Sequence, residues 1–153
     1  MAKIRFELTT PERTVWSDEI DQITLPTKEG EITVLPNHIP LIASLVPGMA
    51  TLVKDGRAEY LAVSGGFIEI QPASRVIVLA DTAERAEELD IKKIEEARER
   101  AKRLLEEKRH VDEESFAAAA AALERELARL KVARKKYRGG PARIEARETD
   151  QGG

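Results

Sequence analysis

The sequence predicts an α+β protein in which an N-terminal all-β flattened sandwich or barrel is followed by a C-terminal antiparallel two-helix hairpin. Six of the seven prolines and five of the nine glycines precede residue 81. The next 58 residues contain neither type and hold 31 of the 53 charged side chains. Proline and glycine punctuate short strands and turns, whereas a charged, alanine-rich stretch without them can run as uninterrupted helix.

The first strands are predicted by alternation. Ile4, Phe6 and Leu8 are separated by charged residues, which is the two-residue period of a half-buried strand. Residues 21–25 continue this pattern, and we expect Pro26 to stop the strand because proline has no backbone N–H. A turn at residues 28–30 then leads into a strand over 31–35.

The rest of the sandwich is predicted from one apolar run, one hairpin and a glycine pair. Residues 41–46 form a continuous apolar run, consistent with a strand covered on both faces. Asp55-Gly56 is a strong two-residue hairpin signal, and Gly65-Gly66 is expected to separate strands and to allow close backbone approach. The remaining predicted strands cover residues 49–54, 57–63, 67–70 and 75–80.

Two helices are predicted in the second half, with Asp90 and Asp112 as their N-caps. The apolar pattern lapses around residues 108–110, where the chain should reverse. The predicted apolar stripe of the first helix consists of Ile91, Ile94, Ala97 or Arg98, Ala101, Leu104 and Leu105. That of the second consists of Phe116, Leu123, Leu127 and Leu130.

The alanine run at residues 117–122 favours helix formation while offering little surface for docking. Two interpretations therefore stay open: a hairpin fixed on the sandwich, or a mobile hairpin that leaves one surface and takes up another without unfolding. The predicted domains are the sandwich at 1–85, the hairpin at 86–138 and a disordered tail at 139–153.

Composition excludes several classes of function. The chain has no cysteine, so it forms no disulfide, and its net charge of −3 argues against general nucleic-acid binding. His38 and His110 share no metal-ligand spacing, and no nucleophile or phosphate-loop motif occurs, so neither a metal site nor an active site is expected. No apolar run approaches 18 residues, and we expect a soluble chain that meets a membrane only through a partner.

Three motifs carry a resemblance to a known family. They are Glu29-Gly-Glu31 with Pro36-Asn-His38-Ile-Pro40-Leu41, then Val46-Pro-Gly48, then Val63-Ser-Gly-Gly-Phe67. In this pattern, and in a charged two-helix hairpin after it, residues 3–138 resemble the ε subunit of F-type ATP synthases. The resemblance implies a non-catalytic central-stalk (rotor) subunit, which couples proton-driven rotation of the c ring and the γ subunit to ATP synthesis in the α/β hexamer.

The resemblance also implies contact residues on the sandwich. Glu31, Pro36, Asn37 and His38 would contact the c ring, with the two prolines of the turn limiting its freedom. The alternatives are that His38 only bonds nearby backbone within the turn, and that Glu31 is a plain exposed strand residue.

For the hairpin, the resemblance implies inhibition of ATP hydrolysis. Residues 127–138 contain six cations and no acid. Arg129, Lys131, Arg134 and Lys135 would meet an acidic region of the β subunits. The simpler interpretation is that these cations favour the negative end of their own helix dipole.

Some members of the family also bind a regulatory ATP on the hairpin, which would here involve Asp90, Arg100, Arg125 and Arg129. This chain departs from that motif, because Lys93 replaces an arginine and Ile94 replaces an alanine. Lysine lacks the planar fork of arginine, so any ATP binding should be weak, and Asp90 can be a helix cap only. No other cofactor is expected.

The implied location is the cytoplasmic face of the bacterial cell membrane, as a peripheral protein, with a plastid thylakoid as the other setting. The alternative function is a free-standing β-domain with a coiled hairpin that acts as a binding module without catalysis.

Overall fold

A computed structural model of the protein describes residues 2–137. The strands are β1 (Ile4–Thr9), β2 (Thr14–Ile20), β3 (Gln22–Thr27), β4 (Gly30–Val34), β5 (Leu41–Ser44), β6 (Gly48–Lys54), β7 (Arg57–Gln71) and β8 (Arg75–Arg85). A 3-10 helix (Ala86–Glu88) leads into α1 (Ile91–Lys108) and α2 (Glu113–Tyr137). The expected helix stop at Gly139-Gly140-Pro141 and the expected disordered tail lie outside the described residues.

The strands form one continuous hydrogen-bonded sheet that folds over into a sandwich. Its order is β2-β1-β8-β7-β6-β3-β4, with β5 paired to β7 beside this path. The β1–β8 pair is parallel, and every other pair is antiparallel. Inward side chains of alternate residues form the core, including Phe6, Ile23, Leu52, Ile68 and Val78. The predicted α+β class, with a sandwich before a helical hairpin, is confirmed.

Strand β2 has no counterpart in the sequence prediction. Its buried residues are Val15 and Ile20, while the residues between them are exposed or half-buried. Asp18 forms an ion pair with Lys54, and Trp16 packs beneath Arg85, whose guanidinium carbon lies 4.0 Å from the ring centroid. The exposed face of β2 is therefore held by polar contacts. Its sequence lacks the apolar alternation from which the other strands are predicted.

The glycine pair bends a strand instead of separating two. β7 runs without interruption through Gly65 and Gly66, which have φ values of +67° and +106°. A Cβ on Gly66 would overlap the Leu79 carbonyl, and one on Gly65 would overlap the Asp81 carboxylate. The predicted close approach is confirmed, but the predicted strand break is wrong. Strand β8 likewise continues past residue 80 to Arg85 because it follows β7 around this bend.

Pro26 also fails to end its strand. It lies inside β3 and opposite Glu31 of β4, and its carbonyl oxygen accepts a hydrogen bond from the Val46 amide at 3.1 Å. The proline ring lies where a Cβ on Gly48 would be, at 2.9 Å. Gly48 therefore makes room for Pro26 in the sheet.

Strand β5 is not covered on both faces, contrary to the sequence interpretation. It contains only residues 41–44, and Ile42 is 72% exposed. Since β5 pairs only with β7, it forms an edge of the sheet. Ile42 faces outward, and Leu41, which points to the opposite side of the strand, is still 40% exposed.

The helical hairpin is folded back on the sandwich. Both predicted caps are confirmed: Asp90 accepts from the Lys93 amide at 3.3 Å, and Asp112 accepts from the Ser115 amide at 2.6 Å. α2 contacts α1 along one side and β6 and β7 along another.

The predicted apolar stripes are only partly correct. Ile94, Ala101 and Leu130 are buried, but Leu104, Phe116 and Leu127 are about two-fifths exposed. The buried positions of α2 are mostly small residues, namely Ala119, Ala128, Leu130, Val132 and Ala133. Because α2 packs against two neighbours at once, small residues are needed where the backbones approach closely.

Candidate partner-binding surfaces

The turn between β4 and β5 carries three of the four residues predicted to contact the c ring. Asn37 adopts a φ of +65°, and its backbone N–H donates a hydrogen bond to the Ser74 hydroxyl at 2.8 Å. Nδ1 of His38 lies 2.7 Å from the carbonyl oxygen of Ile39. The turn is therefore held by the neighbouring β7–β8 turn, and Asn37 is exposed while Pro36 and His38 are half-buried.

Glu31, the fourth predicted residue, lies elsewhere. It is the second residue of β4 and is exposed, whereas the Pro36–His38 turn follows the other end of that strand. The intervening strand is about 10 Å long at 3.3 Å per residue. The structure thus brings Pro36, Asn37 and His38 together and leaves Glu31 at a separate turn.

Exposed apolar residues surround the same end of the sandwich, and sequence reasoning missed them. Leu35 is 51% exposed and Ile39 is 75% exposed, on either side of the Pro36–His38 turn. Leu41 continues this surface at 40%. Isoleucine and leucine exposed together in one turn are typical of a contact surface.

A second apolar surface lies on the outer face of the sheet. Phe67 and Leu79 are direct partners on β7 and β8 and are 60% and 55% exposed. Ile42 on β5 lies diagonally across from Phe67. We call Ile42, Phe67 and Leu79 the outer patch. The outer patch could have been found from the alternation of side chains along each strand, since Phe67 and Leu79 are next to the buried Ile68 and Val78 and so point the opposite way.

The hairpin docks on the outward residues of β6 and β7. Val132 of α2 packs with Ala62 and Ala86, with Met49 and Tyr60 beside them. Met49 is the sheet partner of Ala62, and Ala62 is the partner of Glu84 on β8. A single row across three strands therefore lies under the last turns of α2.

The four cations predicted to contact the β subunits divide into two pairs. Arg129 binds Glu84 through Nη2 at 2.6 Å and Nε at 3.3 Å, and it binds Glu126 through Nη1 at 2.6 Å. Burial alone would lower the pKa of the Arg129 guanidinium, but the hydrogen bonds and charges of these carboxylates outweigh it and raise the pKa above its ordinary value. The Lys135 ammonium lies 5.3 Å from the centroid of the Tyr60 ring.

Lys131 and Arg134 are exposed instead. Together with Lys135 and with Arg98 of α1, they line a cleft of about 340 Å³ whose other walls are Leu127 and Leu130. Among the residues that the structure describes, no acidic side chain lines this cleft. Arg98 was not predicted as a contact residue, and its buried Nε has no hydrogen-bond partner in the described part of the chain.

The residues considered for regulatory ATP do not form one pocket. Asp90 caps α1, and Arg129 is occupied by Glu84 and Glu126. Arg100 lines a hollow formed by α1 residues alone, which includes neither Arg125 nor Arg129. Ile94 is buried against Leu130 and Ala133. The Nε of Arg125 is buried and has no hydrogen-bond partner among the described residues.

Within residues 2–137, no group of histidine, aspartate and glutamate side chains is arranged to hold a metal ion. No helix in the same range has the length and apolar character needed to cross a membrane.

A β-sandwich with exposed apolar surfaces and a charged hairpin docked on it defines a class of two-part proteins. Residues 3–86 match the family described as ATP synthase, Delta/Epsilon chain, beta-sandwich domain. Curated relatives extend the match through the hairpin, and the chain belongs to the ATP synthase epsilon chain family.

Among these relatives, the ATP synthase epsilon chain of Dehalococcoides mccartyi is 46% identical over 137 residues, which is 89% of this chain and 96% of the relative. That of Moorella thermoacetica is 47% identical over 134 residues, covering 87% and 98%. That of Herpetosiphon aurantiacus is 43% identical over 131 residues, covering 86% and 94%.

Two solved structures share the fold. A chain in the Euglena gracilis mitochondrial ATP synthase, solved as OSCP, F1 and c-ring in rotational state 1, has a TM-score of 0.69 and 28% identity, covering 81% of this chain and 77% of that one. A chain of the Tetrahymena thermophila central stalk and c-ring has a TM-score of 0.54 at 16% identity, covering 87% and 99%. The second similarity concerns the fold alone.

Proposed function

We propose that this chain is a non-catalytic rotor subunit in the central stalk of an F-type ATP synthase. In this role it couples rotation of the c ring and γ to ATP synthesis in the α/β hexamer and inhibits ATP hydrolysis through its hairpin. The observation that carries the proposal is the match to epsilon chains over 94–98% of their length, with both sandwich and hairpin included. The Euglena structure, which contains F1 and the c-ring, supports the same assembly.

The sandwich offers two surfaces for two partners. The turn with Pro36, Asn37 and His38 is anchored by Ser74 and flanked by exposed Leu35 and Ile39, which suits a firm contact with the loops of the c ring. Glu31 would add a second contact from the neighbouring turn. The outer patch suits γ, because burial of two or three large apolar side chains is the usual centre of a stable interface.

The hairpin would act through its cations. Of Arg129, Lys131, Arg134 and Lys135, which would meet acidic residues of the β subunits, Arg129 is bound to Glu84 and would need the end of α2 to leave the sandwich. The proposal includes no regulatory nucleotide, because ATP would have to displace Glu84 from Arg129. The complex would hold the chain at the cytoplasmic face of the bacterial membrane, as the bacterial relatives suggest.

Co-purification with γ and c subunits tests the rotor role. We expect Phe67→Glu to weaken binding to γ at least tenfold, because a carboxylate replaces an apolar side chain at the centre of the contact. Val111→Glu at the tip of the hairpin is the control, since Val111 is also 60% exposed. Unchanged retention of Phe67→Glu would remove the outer patch from the γ contact. No affinity of the parent chain for γ and c would favour the free-standing binding module.

Hydrolysis by the assembled complex tests the inhibitory role. A chain lacking residues 88–153 should assemble and raise the ATPase rate. In the full chain, Lys131→Gln with Arg134→Gln should raise it on the order of two- to tenfold, because each exposed ion pair contributes up to about 1 kcal/mol. Lys92→Gln with Arg103→Gln on α1 removes the same charge and should leave the rate unchanged. Equal rates in all complexes would reject inhibition by the hairpin.

A further inference from the structure

Two arginines lie side by side on the outer face of the sheet. Arg5 of β1 and Arg75 of β8 are direct partners in the parallel β1–β8 pair. Both side chains point away from the core, because the next residues along the strands, Phe6 and Val76, are buried. Neighbouring strands are about 4.8 Å apart, and like charges in directly paired positions repel each other. This arrangement is therefore unfavourable unless an anion lies beside it.

Neither arginine is neutralised within the described part of the chain. Arg5 and Arg75 are exposed, and they take part in none of the ion pairs found among residues 2–137. Glu19 is the direct partner of Arg5 on β2, yet these two side chains do not form an ion pair either. The neighbouring Lys3, in contrast, is bound by two aspartates at 2.6 and 3.1 Å. Both guanidinium groups thus keep their donors available for an external acceptor.

The arginine pair lines a hollow of about 650 Å³ on the surface of the sandwich. Gln71, the direct partner of Arg75 on β7, adds a side-chain amide to the same wall. Two carboxylates, those of Glu19 and Glu69, line other parts of the hollow. They limit its use to a small anionic group held at the arginines, because a long polyanion would approach the carboxylates as well.

The pair lies at the same end of the sandwich as the Pro36–His38 turn. The backbone N–H of Arg5 donates a hydrogen bond to the Ser74 carbonyl oxygen at 2.8 Å. The hydroxyl of Ser74 accepts from the backbone N–H of Asn37. Ser74 therefore joins the arginine pair to the turn, and the exposed Leu35 and Ile39 lie on either side of that turn.

We propose that Arg5 and Arg75 form a site for a phosphate group, which is the anion presented by a phospholipid headgroup or by free phosphate. A guanidinium offers parallel N–H donors that match two oxygens of one phosphate. A phosphate has enough acceptor oxygens to bind both arginines at once, and its charge removes their mutual repulsion. A carboxylate has only two oxygens, which one arginine already satisfies.

The surrounding surface favours the headgroup as the source of the phosphate. Ile39 is 75% exposed and Leu35 is 51% exposed at this end of the sandwich. Exposed apolar side chains beside cations are typical of surfaces that lie on an anionic membrane, where the apolar groups enter the interface and the cations meet the phosphates. The site lies within this chain, so the inference goes beyond the rotor role and does not depend on it.

NMR of the arginine side chains in the isolated full chain tests the site, with inorganic phosphate as the probe. When phosphate replaces chloride at constant ionic strength, the Hε–Nε signals of Arg5 and Arg75 should shift together and saturate in the millimolar range. Arg5→Gln should weaken the response of Arg75 roughly fivefold, because one charged donor group is lost. Both arginines are exposed, so their replacement leaves the core intact.

Arg57 is a matched control in the same spectra. It is exposed on β7, and its direct partner Lys54 is also a cation, but Lys54 is bound by Asp18. The Arg57 signal should therefore not respond to phosphate. A shift of Arg57 equal to those of Arg5 and Arg75 would reduce the effect to general ion binding and would overturn the proposal.

Acetate at the same concentrations separates phosphate from a carboxylate. The shifts of Arg5 and Arg75 should be smaller with acetate and should not saturate in the same range. Equal affinity for acetate would contradict the assignment to phosphate and would indicate an acidic protein segment as the occupant.

Sedimentation with vesicles distinguishes the two sources of phosphate. The full chain should bind phosphatidylcholine vesicles that contain phosphatidylglycerol. Arg5→Gln combined with Arg75→Gln should weaken this binding about 25-fold, or roughly fivefold for each cation. Ile39→Ser should also weaken it, whereas Arg57→Gln should change it little. Phosphate-dependent shifts without vesicle binding would assign the site to free phosphate. The absence of both responses, or vesicle binding that the double variant leaves unchanged together with silent arginine signals, would overturn the proposal.

Discussion

At the scale of single residues, Gly66 fixes the point where β7 turns from one face of the sandwich to the other. Its φ of +106° is unfavourable for any side chain, and the Leu79 carbonyl occupies the space of a Cβ. Two separate costs therefore oppose substitution at this position: backbone strain and steric overlap.

Gly66→Ala should destabilise the protein by about 3 kcal/mol or more, because both costs apply. Gly30→Ala is a matched control, since Gly30 has a similar φ of +109° but nothing within 4 Å of its Cβ position. The control should lose only about 1–2 kcal/mol from strain. Urea unfolding followed by circular dichroism measures both, and equal losses would show that the Leu79 contact costs nothing.

Residue chemistry also decides what the sequence could reveal of the candidate site. The Pro36-Asn37-His38 turn was predictable because prolines restrict the backbone on both sides of it. The outer patch was harder to predict, because Phe67 and Leu79 are residue types that usually form a core. Only their alternation along the strands with the buried Ile68 and Val78 shows that they lie on the outer face. The ion pair of Glu84 with Arg129 could not be predicted, since the two residues are 45 positions apart in the chain.

At the scale of elements, the two helix caps were readable from local sequence, whereas strand ends were not. Asp90 and Asp112 act on amides three residues ahead, so their effect is local. Pro26 and Gly65-Gly66 are strand breakers by type, yet tertiary pairing with β4 and β8 keeps their strands continuous. Strand β2 was missed for a related reason, because pairing with β1 stabilises it and its own sequence shows no apolar alternation.

The cap of α2 gives a pH-dependent prediction. The Ser115 amide and hydroxyl lower the pKa of Asp112. A carboxyl with a lowered folded-state pKa stabilises the fold above its unfolded pKa, near the ordinary value of 3.8, and loses this effect as pH falls through the lower folded value. The first turn of α2 should therefore fray only in acid below that range.

Asp112→Ala should produce the same fraying at neutral pH, seen as faster amide hydrogen exchange over residues 113–117. Asp112→Asn is the control, because its side-chain oxygen can still cap the helix without titrating. Exchange rates in Asp112→Ala equal to those of the parent at pH 7 would show that the cap does not hold this turn.

At the scale of the whole molecule, the sandwich and the hairpin are joined by a modest contact of small side chains and one two-point ion pair. The alanine run predicts weak docking, because it favours a helix that needs little support. It could not indicate the docked position, since that depends on a row of residues from β6, β7 and β8. Local sequence therefore predicts the individual elements. The position of the hairpin on the sandwich depends on residues that come together only in the assembled sheet.

The bend at Gly65-Gly66 has a mechanical consequence. Strand β7 contains Phe67 of the outer patch on one side of the bend. On the other side it contains Ala62 and Tyr60, against which α2 packs. Displacement of Phe67 by a bound neighbouring chain would therefore be transmitted through the backbone of β7 to the residues on which α2 docks, without passing through a loop.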